Sequence, residues 1–367
     1  MTLRRLAPTR RALGATLLSV IFLAACGSDE EQPKRNAAGA GEPGLQAVKS
    51  YLTDHTERLA ADARRLREGA EGYYRMAEEK RFDYPALLRD DRDKVASFVR
   101  DAQAGFRRAN PSYEEMEGVV AGTPSLADFD VIIDAGGDSS DPENAVPFSV
   151  KTPGGKTYKQ PGNLNFLVET TVFGTEEKFQ AKGVKADLDG DGKTEFGEAV
   201  PDADFYLGTT RTFERYANEL NDAAQRFKPT NSDAFTSLVV MTPTMSEYFE
   251  AWKNSRFIAG GKAKETAFVA ASRLQDIEDI LSGLVLVYEN IRPTIDKADR
   301  AQAQQTQREL IRLRDFAAKL RKQEADGKKF TAEEADTLGT QAQEQAEEIA
   351  GQVTQAAARL NIKVEDS

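Results

Sequence analysis

The chain has 367 residues, with 60 acidic and 49 basic side chains and a net charge of -11. That balance excludes the basic surface that nucleic-acid binding requires, and it suits a body that handles cations. A single cysteine excludes an intrachain disulfide, while the length allows a sizeable hydrophobic core in one large or two smaller domains.

Arg4, Arg5, Arg10 and Arg11 stand before a short apolar run from Ala12 to Ala25. Such a run has the length of a secretion-signal core and is too short to span a bilayer permanently. It ends in Leu23-Ala24-Ala25-Cys26, the pattern at which a lipoprotein is cut and its cysteine lipidated. Residues 1–25 therefore read as a lipoprotein signal peptide, and Cys26 as the site of lipid attachment. Two or three acyl chains anchor a protein stably to a membrane. The expected location is extracytoplasmic, facing the periplasm or the cell surface. Residues 26–44 are rich in Gly, Ala, Pro, Glu and Lys and read as a flexible tether.

From Leu45 the texture becomes helical. Val48, Leu52, His55, Leu59, Ala63, Leu66, Ala70 and Tyr73 recur at helical spacing. A second helix follows Pro85, and Asn110-Pro111 is expected to stop it; a short helix then carries Tyr113 to Val120. Between Gly122 and Gly162 the chain is irregular, and Phe148–Lys151 and Lys156–Tyr158 flank Pro153-Gly154-Gly155 as a small β-hairpin. Leu164 to Phe173 reads as a buried helix, and Phe205 to Phe227 as an amphipathic one. Ser232 to Ser255 is a helix with a kink at Pro243. Lys264 to Ile291 is expected to be helical up to Arg292-Pro293. Ala301–Glu324 and Thr331–Leu360 complete the set, the last opened by a Thr331/Glu334 capping box. Residues 361–367 read as a tail. The sum is an all-α domain over 45–360, about eight helices in two antiparallel four-helix bundles with an irregular, partly β-hairpin insertion.

The sharpest local motif is Asp187-Leu188-Asp189-Gly190-Asp191-Gly192-Lys193-Thr194-Glu195-Phe196-Gly197-Glu198. It meets the EF-hand loop pattern: carboxylates from Asp187, Asp189 and Asp191, the Lys193 carbonyl, Glu195 and a closing Glu198. Pro201 and Gly183 leave little room for flanking helices. The expectation is a solitary, structural calcium loop.

Several segments, in order, resemble the imelysin-like family, which includes the iron-uptake components EfeO and EfeM. Tyr113-Glu114-Glu115-Met116-Glu117 is similar to the family's Tyr-Glu-x-Ile-Glu segment. Leu126-Ala127-Asp128-Phe129-Asp130 with Ile133-Asp134 is similar to its Gly-Asp-Leu-Asp-Pro-x-Ile-Asp segment. Gly162 to Glu169 falls where the family has Gly-x-His-x-x-Glu, but Phe166 replaces the histidine and Glu169 remains. Leu274-Gln275-Asp276, Gly283 and Ile291-Arg292-Pro293 resemble its late helix. The resemblance implies two four-helix bundles and a metal cleft.

His55 is the only histidine, and its neighbours sit at core spacing, so it reads as a packed residue. A zinc peptidase needs two or three histidines with a carboxylate, and a serine triad needs a histidine base. The chain is therefore not expected to be an enzyme. Oxygen ligands remain: Tyr113, Glu114, Glu117, Asp130 and Glu169 form the candidate cleft, suited to a hard cation such as iron. The leading reading is a lipid-anchored metal-binding protein that presents iron to a membrane permease. A second reading is a surface protein that recognises a polymer or protein through a degenerate cleft. A third is a divergent peptidase.

Overall fold

The computed structural model describes residues 42–365, so Cys26, the signal peptide and most of the tether lie outside the described residues. Two long helices open the body: α1 (Pro43–Glu79) and α2 (Tyr84–Ala121). A one-turn α3 (Ala127–Asp130) runs into a π-turn over Val131–Ala135. The hairpin pairs β1 (Ser149–Lys151) with β2 (Thr157–Lys159), antiparallel, Val150 facing Tyr158. There follow α4 (Leu164–Phe173), α5 (Ala203–Arg226), α6 (Asn231–Met241), α7 (Met245–Asn254), the short α8 (Arg256–Ala259), α9 (Arg273–Ala325) and α10 (Ala332–Leu360). The described residues are all-α apart from the hairpin.

The helices pack in two groups. In one, α1 lies on α2 and α5, and α4 bridges α2 to α5. In the other, α6, α7, α9 and α10 pack on one another, and α2 reaches across to α6 and α9. The close approach of α2 and α9 depends on Gly283, where a Cβ would lie 2.1 Å from the Glu115 carbonyl oxygen.

Two predicted helix stops are not stops. Pro111 lies inside α2 and Pro293 inside α9. An interior proline forfeits one hydrogen bond and clashes with the preceding turn, at a cost of about 3 kcal/mol. Around each, burial outweighs that cost: Ser112, Tyr113, Met116, Val119 and Val120 are enclosed after Pro111, and Ile291, Thr294 and Ile295 flank Pro293. The real break in α9 is Asp299, at φ -164° and ψ 106°. Its carboxylate accepts from the amides of Ala301 and Gln302, capping the segment that was expected to begin at Ala301. At Pro243 the expected kink is present, as a 3-10 turn over Thr242–Thr244. The Thr331/Glu334 capping box is formed.

Helix α9 starts nine residues later than the apolar pattern suggests, at Arg273 rather than Lys264. Phe268 is left-handed, with φ 54°. The amides of Phe268, Val269 and Ala270 point away from any helical partner, at a carboxylate described below. At the other end, the predicted tail folds back: Ile362 and Val364 pack on the core, and the Glu365 amide donates to Thr236.

Candidate metal centre

Where the two helix groups meet, a set of acidic side chains is shut away from solvent. Glu114 and Glu117 lie three residues apart on α2, so both leave the same helix face. They are 1% and 4% exposed. Asp134 comes from the π-turn, a wider coil that often marks a functional position. One oxygen from each of these three carboxylates can be chosen so that all lie within 4.8 Å of one another. At that spacing, two ionised carboxylates repel by about 3 kcal/mol at an effective dielectric constant of about 20.

The surrounding groups hold this cluster in place. Tyr113 Oη donates to Asp130 Oδ1 (2.6 Å), and Tyr248 Oη on α7 donates to Glu117 Oε1 (2.8 Å). Asn165 on α4 donates to Asp134 (3.0 Å), and Asn110 to Asp276 on α9 (3.1 Å). Arg273 opens α9 and reaches Asp276 Oδ2 (3.0 Å) and Glu114 Oε2 (3.4 Å), with Asp134 Oδ2 at 3.9 Å. Its guanidinium stacks on Phe268 (4.1 Å) and Tyr248 (4.5 Å). Glu117 Oε2 is buried and has no partner.

One guanidinium thus faces five carboxyl groups, from Glu114, Glu117, Asp130, Asp134 and Asp276. Burial, and then neighbouring negative charge, pushes Glu117 up to about 8 and Glu114 well above the usual carboxylate range. Burial likewise raises Asp130 to about 7 and Asp276 to about 6. Such a set is neutralised by protons or by a hard cation. Its donors are all oxygen, and Glu117 Oε2 is buried with no hydrogen-bond partner, so the residues fit a cation of the iron, manganese or calcium kind.

Four of the five predicted cleft residues, Tyr113, Glu114, Glu117 and Asp130, come together here. Glu169 does not. Its Oε1 accepts from the amides of Val269 (2.9 Å) and Ala270 (2.8 Å), and its Oε2 from Phe268 (2.6 Å). The carboxylate is a backbone anchor for the loop before α9. Phe166 packs its ring against Phe179 and Lys178. Asp134, Tyr248, Arg273 and Asp276 were missed as site residues. The readable signal was Arg273, a lone cation directly after the capping Ser272, at a helix start where positive charge is disfavoured.

His55 is buried, as expected of a packed residue. Its Nδ1 faces the Tyr51 carbonyl oxygen (2.7 Å), and its Nε2 pairs with Glu115 on the far side of α2 from the cluster. Both ring nitrogens are occupied.

The acidic loop lies between the 3-10 turn at Glu177–Phe179 and the start of α5, and no helix flanks it directly. Asp187, Asp189 and Asp191 bring carboxylate oxygens within 4.8 Å of one another. Gly190 and Gly192 turn the chain with φ of 84° and 88°. Glu198 accepts from the amides of Leu188 (2.7 Å) and Asp189 (3.2 Å) through Oε1 and of Glu195 (2.7 Å) through Oε2. Lys193 Nζ lies 3.6 Å from Asp191. Phe196 stacks on Phe173 at the end of α4 and fastens the loop to the body.

Residues 173–353 match the family model described as Imelysin, Peptidase_M75, and this stretch of the chain is imelysin-like. No curated protein matches it. The matched stretch contributes Tyr248, Arg273 and Asp276 to the centre; Glu114, Glu117, Asp130 and Asp134 lie upstream of it.

Proposed function

We propose that this imelysin-like chain is an extracytoplasmic binding protein, not a peptidase, and that its cargo is iron held by Glu114, Glu117 and Asp134. The observation that carries this reading is the convergence of three enclosed carboxylates with one orphaned oxygen, against a single guanidinium. Iron(III) favours carboxylate and phenolate oxygen, and the hydroxyls of Tyr113 and Tyr248 border the same cluster. The family's description carries the word peptidase, but the one histidine of the chain is engaged by Tyr51 and Glu115. Attachment through lipid on Cys26 and delivery to a membrane permease complete the proposal.

Titration of the protein with iron(III) citrate tests it. Binding of one iron per chain is expected, abolished when Glu114→Gln, Glu117→Gln and Asp134→Asn are combined. Absence of stoichiometric binding, or binding unchanged in the triple variant, would overturn it. Calcium in the loop over 187–198 is a separate proposal, resting on its EF-hand spacing and on the converging aspartates. Calcium is expected to raise the melting temperature, and Asp187→Asn with Asp189→Asn to remove that rise; a melting temperature indifferent to calcium and chelator would sink it.

A further inference from the structure

Arg273 is an unusual occupant of its position. It is the first residue of α9, where the exposed amides of a helix start favour an anion, and it is 4% exposed. Arginine does not shed its charge by deprotonation, so this cation is permanent. The contacts of its guanidinium are specific. Nη1 reaches Asp276 and Glu114, Nη2 lies 3.9 Å from Asp134, and Cζ lies over the rings of Phe268 and Tyr248. Its Nε is buried without a partner.

Glu114 and Asp134 are two of the three carboxylates that converge as a cation site. The third, Glu117, leaves Oε2 free, and its other oxygen is held by Tyr248, the ring on which Arg273 stacks. The guanidinium and an incoming metal ion therefore draw on the same two carboxyl groups, those of Glu114 and Asp134. We propose that Arg273 is a resident counter-cation that competes with the metal for Glu114 and Asp134, and so tunes both affinity and selectivity. The inference rests on the metal-binding reading above and adds its regulation.

Two consequences follow from charge alone. A fixed positive charge beside the site repels a bound ion in proportion to that ion's charge, so it holds affinity below what the carboxylates would give by themselves. A protein that must hand its cargo on gains from that limit. The same repulsion costs a trivalent ion more than a monovalent one, so Arg273 also shifts the balance among ions of different charge. Arg273 on this account acts through Glu114 and Asp134 and never touches the metal.

The test is equilibrium dialysis of the full chain against iron(III) citrate, with metal analysis, for the wild type, Arg273→Gln and Arg273→Lys. Arg273→Lys keeps a buried positive charge for folding but loses the fork that sets Nη1 on Glu114 and Asp276 and Nη2 toward Asp134. Iron affinity is expected to rise about tenfold or more in Arg273→Gln, equivalent to at least about 1.4 kcal/mol, and by less in Arg273→Lys. A purely structural arginine predicts the reverse, because losing it would loosen the ligands. Affinity unchanged or weakened in the folded variants, with iron still bound by the wild type, overturns the competition. If neither the wild type nor any variant binds iron, the metal-binding reading itself fails.

Discussion

Replacing Glu117 by glutamine tests whether the centre holds protons when it holds no metal. Glu117 is enclosed; Tyr248 donates to Oε1 and nothing donates to Oε2. Burial, then the charges of Asp130 and Asp134, lift this carboxyl from an ordinary 4.5 to about 8. The folded protein thus keeps the proton at pH 7, while the unfolded chain gives it up. Because the folded value is the higher one, the associated stability is fully present below about 4.5 and drains away as pH rises through about 8. Holding the proton at pH 7 against an unfolded value of 4.5 costs about 3 kcal/mol of stability relative to acid conditions. Glutamine copies the shape of the protonated acid and has no charge to release. Metal-free Glu117→Gln is therefore expected to match the wild type near pH 4.5 and to exceed it by about 3 kcal/mol at pH 7. Urea unfolding with a chelator, at pH 4.5, 6, 7 and 8, measures this. Iron should narrow the difference, since the wild type offers it one more carboxylate than the variant. Equal destabilisation of the variant at every pH, or wild-type stability that climbs from pH 5 to 8 without metal, would refute the reasoning.

Gly283→Ala is expected to destabilise by at least about 1–3 kcal/mol, since its Cβ would lie 2.1 Å from the Glu115 carbonyl and force α9 off α2. Chemical denaturation measures the loss. Gly351→Ala is the control: its Cβ meets nothing within 4 Å, and the helix should gain up to about 1 kcal/mol. Glu169→Ala orphans the amides of Phe268, Val269 and Ala270 and is expected to cost about 3 kcal/mol or more. Hydrogen exchange should speed up first at those three amides; protection unchanged there would show that the carboxylate does not hold the loop.

Much of the fold was legible because helical periodicity is local. The capping box at Thr331, the hairpin around Pro153-Gly154-Gly155 and the buried α4 all follow from neighbours in sequence. Pro111 and Pro293 misled for a physical reason. A proline's penalty is local and visible in the sequence, whereas the burial that overrides it comes from helices far along the chain. The site divides the same way. Glu114 and Glu117 are paired by helical spacing alone, but Arg273 meets Glu114 across 159 positions and Tyr248 meets Glu117 across 131, and no periodicity encodes either.

Glu169 carries the lesson furthest. A buried carboxylate must find either cations or hydrogen-bond donors, and in the sequence the two outcomes look alike. The family motif suggested the first. The second was open because residues 264–272, though apolar enough for a helix, can turn their amides outward. Phe268 adopts a left-handed φ of 54°, and three consecutive amides then face one side chain. The same choice delays α9 to Arg273 and so places its guanidinium at the centre instead of one or more turns inside a longer helix. The engagement of Glu169 by three amides and the placement of Arg273 against Glu114 and Asp276 are thus two results of a single loop conformation. With the Phe166 ring turned to Phe179, the acids in the centre are those of α2, α3, the π-turn and α9.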